Sequence, residues 1–140
     1  RGQITLNSSD PYEYPKILFN YLKDEEDLKQ TRECIHVARK ILSQPALSEH
    51  AGKEVGPGSE AQSDEELNEY IRSKADTAYH PCGTCKMGVD DMAVVDENLR
   101  VKGIKNLRVI DASVIPEIPS ANLNAPVLMI AEKGSELVLS

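Results

Sequence analysis

The sequence predicts an α+β fold in which helices pack with short, mostly antiparallel strands. Two observations favour this class: apolar residues recur at helical spacing in three separate stretches, and short runs rich in β-branched residues lie between turn signals. The chain has 140 residues, 40% of them hydrophobic, so it is long enough to bury a core. No apolar run approaches the roughly 20 residues that a membrane-spanning helix needs.

Three helices are predicted, at residues 25–43, 64–75 and 126–138. Asp24 is suited to cap the first helix, whose opening turn is acidic, and Pro45 ends it. The pattern Ser63-Asp64-Glu65-Glu66 is typical of a capping box and starts the second helix. Pro126 falls in the first turn of the third helix, where a missing amide hydrogen is tolerated.

Short strands are predicted at residues 3–7, 94–96, 99–101 and 107–110, and through His80. Residues 12–21 hold most of the aromatic side chains and are interrupted by Pro15, which indicates an irregular, partly buried segment. Cys34 and His36 lie two positions apart on the first helix and point in different directions. We interpret them as a buried thiol beside a surface histidine.

Charge and cysteine content exclude several classes of function. The net charge of −7 argues against nucleic-acid binding, because phosphates require a basic face. Three cysteines without a dense framework indicate a reducing compartment rather than a disulfide-stabilised secreted domain. The chain opens on Arg1 rather than on methionine, from which we expect a piece of a longer polypeptide.

The run Gly56-Pro57-Gly58-Ser59-Glu60-Ala61 matches the dinucleotide fingerprint G-x-G-x-x-A only in its letters. Such a loop binds phosphates when it follows a strand and opens a helix, so that bare amides meet the ligand. Here no strand is predicted before the run, Pro57 lacks an amide hydrogen, and the next helix starts later. We therefore do not interpret this run as a nucleotide-binding loop.

The most unusual part of the chain is the central stretch, residues 79–88, with the sequence Tyr-His-Pro-Cys-Gly-Thr-Cys-Lys-Met-Gly. Its Cys82 and Cys85 could form a redox or metal pair, but zinc needs four ligands and only His80 lies close by. Alternatively, His80 is a satisfied core residue and the glycines turn the chain. In a third interpretation His80 is an acid/base group held beside a cofactor. Spacing alone does not choose between the last two.

Five motifs, in their order and spacing, resemble the carboxy-terminal part of the glucose-methanol-choline (GMC) oxidoreductases, and within them the choline dehydrogenase group. The first is Tyr79-His80-Pro81 with residues 83–88, followed by residues 94–96, 107–113, 122–126 and 129–133. The resemblance reaches back to Arg1-Gly2 and covers essentially the whole chain. Members of the family are several times longer than this sequence.

The resemblance implies an FAD-dependent enzyme that oxidises a primary alcohol such as choline to an aldehyde by passing a hydride to the flavin. It implies His80 as the base on the substrate hydroxyl, and Asn122 as a hydrogen-bond donor to the developing oxyanion. The cofactor-binding positions implied by the same match are Asp111, Ala112, Asn124, Ala125 and Pro126. No metal site is expected, because the ligands that zinc needs are missing around Cys82 and Cys85.

The same resemblance assigns residues 1–90 to a substrate-binding domain and residues 91–140 to a segment that returns to the FAD-binding domain. Because the family's nucleotide loop has no match here, we expect the chain alone to be inactive and not to retain FAD. Its expected partner is the N-terminal FAD-binding domain of the same protein. Val127 and Ile130 would then be exposed and favour self-association through the last helix.

The expected location is the cytoplasm or the surface of the inner membrane, without secretion. A competing hypothesis from another class is a free-standing thiol or metal module built on Cys82 and Cys85.

Overall fold

The computed structural model describes all residues from Arg1 to Ser140. It contains three α-helices and one two-stranded antiparallel sheet, which confirms the predicted α+β class. The chain divides into two compact units, Arg1–Asp76 (unit 1) and Thr77–Ser140 (unit 2). The predicted boundary at residue 90 concerns two domains of a longer enzyme and stays a prediction. None of the helices has the length and apolar character that a bilayer span requires.

Unit 1 begins with a hairpin formed by β1 (Gln3–Thr5) and β2 (Lys16–Leu18). The strands are antiparallel and pair Ile4 with Ile17, and their side chains are exposed. The expectation of an irregular, partly buried segment at residues 12–21 is wrong, since the segment contains β2 and Tyr12 is 92% exposed. Pairing with β1 satisfies the backbone there, so the aromatic side chains need no burial to hold the strand.

The first helix, α1 (Glu25–Leu42), begins at the predicted cap. The Asp24 carboxylate accepts the Glu26 amide hydrogen at 3.0 Å, and this bond, with a second from Arg1, lowers the pKa of Asp24. Leu28 is buried whereas Cys34 is exposed, so the interpretation of Cys34 as a buried thiol is wrong. Six residues of helix place Cys34 roughly 120° around the axis from Leu28, outside the narrow buried stripe.

The second helix, α2 (Asp64–Lys74), starts with the predicted capping box. Ser63 accepts from the Glu66 amide, while the Glu66 carboxylate accepts the Ser63 amide hydrogen at 2.9 Å. The backbone amides of Ser63 and Gln62, which both donate to the Glu66 carboxylate, lower the pKa of Glu66 because they favour its charged form. The buried residues Leu67 and Ile71 lie on one face of α2, which packs against α1.

In unit 2 the predicted strands are reduced to isolated bridges, in which Met87 pairs with Val95, Val95 with Val101, and Arg100 with Arg108. The predicted strands at residues 94–96, 99–101 and 107–110 are therefore wrong as regular elements. Leu99 and Asn106 have φ of 62° and 60°, so the chain turns before a ladder can extend.

The predicted strand through His80 is also wrong, because this residue lies in irregular backbone. Tyr79 has a left-handed φ of 58°, and Pro81 lacks the amide hydrogen that a ladder requires. Neither residue can continue a regular strand on its side of the histidine.

The third helix, α3 (Asn124–Leu139), packs against the core of unit 2. That core consists of Val95, Leu99, Val114, Ile115, Leu123 and Ile130. The expectation that Val127 and Ile130 are exposed is wrong: Ile130 is only 8% exposed and Val127 packs against the same core. The large apolar residues of α3 that are exposed are instead Leu128, Met129, Val138 and Leu139.

Gly134 is buried in α3 where the helix approaches Ile110. A Cβ atom there would lie 2.3 Å from Ile110 Cγ2, a methyl group on a β-branched side chain that cannot move away alone. We expect Gly134→Ala to lower the free energy of unfolding by about 1–3 kcal/mol, the usual cost of overpacking. This reverses the gain of about 1 kcal/mol that alanine normally brings within a helix. Urea denaturation measures the difference.

Gly52→Ala is the matched control, because a Cβ at Gly52 meets nothing within 4 Å. Its unfolding midpoint should stay close to that of the unchanged protein. Equal stability of both variants would show that α3 moves away from Ile110 without cost.

Candidate functional site

His80 lies in an exposed part of unit 2, directly after the left-handed Tyr79. Its Nδ1 atom is within hydrogen-bond distance of the Ala78 carbonyl oxygen. Since a carbonyl can only accept, Nδ1 carries a hydrogen, and in the neutral form of the imidazole Nε2 then presents its lone pair. Nε2 is therefore the atom of His80 that can accept a proton from a ligand.

The second half of the central stretch is held against residues 113–115. The Cys85 amide donates to the Ser113 carbonyl at 2.9 Å, and the Met87 amide donates to the Val114 carbonyl at 2.8 Å. Gly83 has φ of 85°, and a Cβ atom there would lie 3.3 Å from the Ile115 carbonyl oxygen. The glycine thus suits both the left-handed backbone and the close approach of the second segment.

An ion pair fixes the end of the central stretch. Lys86 Nζ lies 3.0 Å from Asp90 Oδ1, which also accepts the Met92 amide hydrogen at 2.9 Å. The hydrogen bond from Lys86 is the main reason that the pKa of Asp90 is lowered, and the Met92 amide adds to it. Asp90 therefore favours its ionised form, which is the form that pairs with Lys86.

Cys82 and Cys85 are free, half-buried thiols. No group of three or more His, Cys, Asp or Glu side chains in the chain is arranged to hold a metal ion. Cys82 packs against the apolar core of unit 2. A structural zinc site needs four ligands, so the arrangement counts against the competing hypothesis of a metal module.

Asp111 precedes a short 3₁₀ helix, Ala112–Val114, which we call the 112–114 turn. One carboxylate oxygen of Asp111 accepts the Ser113 amide hydrogen at 2.8 Å and the Ser113 hydroxyl at 2.5 Å. The Asp111 side chain is therefore already engaged within the chain. The Asp111 and Ala112 carbonyls also accept the Val114 and Ile115 amides, at 3.3 Å and 3.2 Å, so the main-chain amides of the two residues and the second Asp111 carboxylate oxygen are what remains for a ligand.

The start of α3 has no side-chain cap. The amides of Asn124 and Ala125 have no acceptor within the chain, and the first backbone bond of the helix runs from Val127 to Leu123. Pro126 sits among these first-turn positions and has no amide hydrogen to satisfy. Free amides at a helix N-terminus attract negative charge.

Asn122, two residues before α3, is exposed, and its side chain makes no hydrogen bond within the chain. It therefore does not cap the helix, although asparagine is well suited to that position. Its amide group is free to bind another molecule.

Main-chain hydrogen bonds bring the central stretch and the 112–114 turn together, whereas no hydrogen bond joins His80 to Asn122. Sequence analysis missed the Ala78 carbonyl that orients His80 and the Ser113 carbonyl that holds Cys85. Only the pattern Asp-x-Ser at Asp111 carried a signal, because Asp and Ser often bond to the backbone two residues on. Residues 56–61 follow no strand, and α2 starts only at Asp64, which agrees with excluding a nucleotide loop there.

Comparison with known proteins gives consistent results. The GMC oxidoreductase family profile matches residues 1–131. An oxygen-dependent choline dehydrogenase from Escherichia coli O45:K1 (strain S88) is 50% identical over 138 residues, 99% of this chain and 25% of that protein. The chain thus spans about a quarter of the length of the curated relatives that it matches.

Solved structures agree. Pyridoxine 4-oxidase from Mesorbium loti superposes with a TM-score of 0.87 at 34% identity, over 96% of this chain and 26% of that chain. A fungal aryl-alcohol oxidase superposes with a TM-score of 0.89 at 33% identity, over 99% of this chain and 23% of that chain. The Aspergillus oryzae formate oxidase, studied for its FAD modification, superposes with a TM-score of 0.86 at 34% identity, over 98% of this chain and 24% of that chain.

The predicted resemblance is confirmed by a family match along nearly the whole sequence and by structural similarity over 96–99% of the chain. The chain belongs to the GMC oxidoreductase family, as a C-terminal region like that of the choline dehydrogenases.

Proposed function

We propose that this chain is the active-site-bearing C-terminal part of an FAD-dependent enzyme that oxidises a primary alcohol to an aldehyde. The observation that carries the proposal is the orientation of His80. Its Nδ1 is engaged by the Ala78 carbonyl, so that Nε2 is left to accept a proton. A near-neutral base is what alcohol oxidation needs, because an alkoxide gives up hydride far more readily than an alcohol does.

The residues at the start of α3 fit a flavin. The unpaired amides of Asn124 and Ala125 and the positive end of a 16-residue helix would favour the electron-rich edge of its ring system. The main chain of Asp111 and Ala112 would meet the chain that links the flavin to its nucleotide. When bound, FAD supplies the hydride acceptor.

The residues of this chain then accept the proton and stabilise the negative charge. His80 Nε2 takes the hydroxyl proton, and the Asn122 amide donates a hydrogen bond to the oxygen as charge develops on it. As the carbon–oxygen double bond forms, the carbon–hydrogen bond breaks and its electron pair leaves with the hydrogen. One alcohol thus yields one aldehyde, one proton and one hydride.

Choline is the substrate that we favour. The relative with 50% identity is a choline dehydrogenase, and the trimethylammonium group of choline binds well to aromatic faces. Tyr79 is the only aromatic residue in unit 2; it adjoins His80 and its side chain is exposed. It could therefore face the cationic end of such a substrate.

The chain alone should neither retain FAD nor turn over alcohol. It contains no dinucleotide-binding loop between a strand and a helix, which flavoproteins use to hold the diphosphate. We propose that an N-terminal FAD-binding region of the same polypeptide supplies that loop and is the partner of this chain.

The test is rapid anaerobic mixing of the complete flavoenzyme with choline, followed by its visible flavin absorbance. We expect the absorbance to bleach with one aldehyde formed per flavin, and a tertiary alcohol, which has no hydrogen on the carbinol carbon, to leave it unchanged. The 140-residue chain mixed with FAD should not quench flavin fluorescence. Persistent flavin colour with choline and every other primary alcohol would contradict the activity, and tight FAD binding by the chain alone would contradict its dependence on a partner.

A further inference from the structure

The central stretch is held by a segment whose own shape depends on one carboxylate. The Ser113 and Val114 carbonyls accept the Cys85 and Met87 amides at 2.9 Å and 2.8 Å. Val114 is fully buried, so its position is fixed by packing. Ser113 is only half-buried, and what fixes it locally is the Asp111 carboxylate, which accepts both its amide and its hydroxyl hydrogen.

His80 is connected to this arrangement through a short, stiff piece of chain. Pro81 has a fixed φ, and Cys82 packs against the core of unit 2. Gly83 then passes close to the Ile115 carbonyl before Cys85 bonds to Ser113. A displacement of Ser113 would therefore be transmitted to the backbone that carries the imidazole.

We propose that Asp111 is a positioning residue for His80, acting through Ser113 and the central stretch; this rests on the proposed role of His80 as the base. The assignment differs from direct cofactor binding by the Asp111 side chain. One oxygen of its carboxylate is already occupied by two donors, and a negative side chain would be repelled by the diphosphate of FAD. The main chain of Asp111 can still meet the cofactor while its side chain sets the turn.

The test compares Asp111→Ala, which removes the acceptor, with Asp111→Asn, which keeps a neutral acceptor oxygen. Two readouts are taken from the complete flavoenzyme: the alkylation rate of Cys85, with the exposed Cys34 as internal reference, and the hydride-transfer rate per bound flavin. Asp111→Ala should speed alkylation of Cys85 and slow hydride transfer roughly ten- to hundredfold, since misplacing a catalytic group by about 1 Å has effects of that order. Asp111→Asn should stay within about threefold of the unchanged enzyme for both, because the acceptor geometry is kept.

Asp96→Ala is the matched control. Asp96 caps another turn of unit 2 in the same way, with one carboxylate oxygen accepting the Asn98 and Arg100 amides, both at 2.9 Å. It should lower stability without changing the rate per flavin. If Asp111→Ala does not fold, Ser113→Ala, which loses only the hydroxyl donor, should show a smaller change in the same direction for both readouts.

The inference would be overturned in favour of direct cofactor binding if Asp111→Ala lost FAD while its hydride-transfer rate per bound flavin and its Cys85 alkylation rate stayed normal. Equal effects of Asp111→Ala and Asp96→Ala on the rate would overturn it in favour of general stability. A His80→Ala enzyme with normal hydride transfer would instead refute the proposed function on which the inference rests.

Discussion

His80→Ala is expected to lower kcat/KM for the alcohol by about 10²–10⁴-fold, the usual contribution of a positioned base. The flavin content should be unchanged, because the proposed cofactor contacts are at the 112–114 turn and at the start of α3. His80→Gln should be nearly as slow, since glutamine can donate and accept hydrogen bonds but cannot take up a proton at neutral pH. Stopped-flow flavin reduction with choline measures the step directly.

The pH dependence separates a base from a merely structural histidine. The pH–rate profile of the unchanged enzyme should differ in shape from that of His80→Ala, because only the unchanged enzyme contains this base. His36→Ala is the matched control, because His36 is exposed on α1 in unit 1 and should change neither rate nor profile. Normal turnover in a His80→Ala enzyme of unchanged flavin content would falsify the assignment.

The helices could be predicted because their signals are local. Asp24, the capping box at Ser63 and the position of Pro126 act within one turn, and α1, α2 and α3 start within two residues of the predicted positions. The class of the fold follows from those elements. Their burial was predicted less well: Cys34 and Ile130 show that the width and direction of a buried face depend on which partner packs there.

The strands of unit 2 could not be predicted in the same way. Residues such as Val101 and Val109 favour extended backbone, but the left-handed Leu99 turns the chain before Val101 and the left-handed Asn106 turns it before Val109. Asparagine is common at positive φ, but a leucine there carries almost no sequence signal, because tertiary contacts stabilise a conformation that its side chain disfavours. The result is a set of single bridges around a packed core rather than a sheet.

The candidate site, too, could be predicted from the sequence only in part. His80 and Asn122 were predicted from a resemblance of motifs, and the structure adds that both side chains are exposed in this chain and that Asn122 has no hydrogen bond within it. The bonds from Cys85 and Met87 to the 112–114 turn join segments almost thirty residues apart, as Cys85 to Ser113 shows. Such pairings depend on where the core places each segment, so no local pattern could indicate them.

Substitution of Asn122 is the second change that we expect to have a large effect on the rate of hydride transfer. If its amide donates to the substrate oxygen as negative charge develops, Asn122→Ala should raise the barrier to hydride transfer by about 2.7–4 kcal/mol, as the loss of one oxyanion donor does elsewhere. Asn122→Asp should be slower still, because it places a negative charge where negative charge forms. Asn122→His should be the mildest of the three, since an imidazole N–H can replace the amide donor. Single-turnover flavin reduction by choline ranks the three variants.

Stability measurements make the test decisive, because Asn122 makes no hydrogen bond within the chain and does not cap α3. Asn122→Ala should therefore change the free energy of unfolding by no more than about 0.5 kcal/mol, as is usual for an exposed residue. Asn124→Ala is the matched control: Asn124 is the first residue of α3 and lies at the proposed flavin contact, so its loss should weaken flavin binding more than it slows proton removal. Asn122→Asp with both normal stability and a normal rate of hydride transfer would remove Asn122 from the active site and leave His80 to act without this donor.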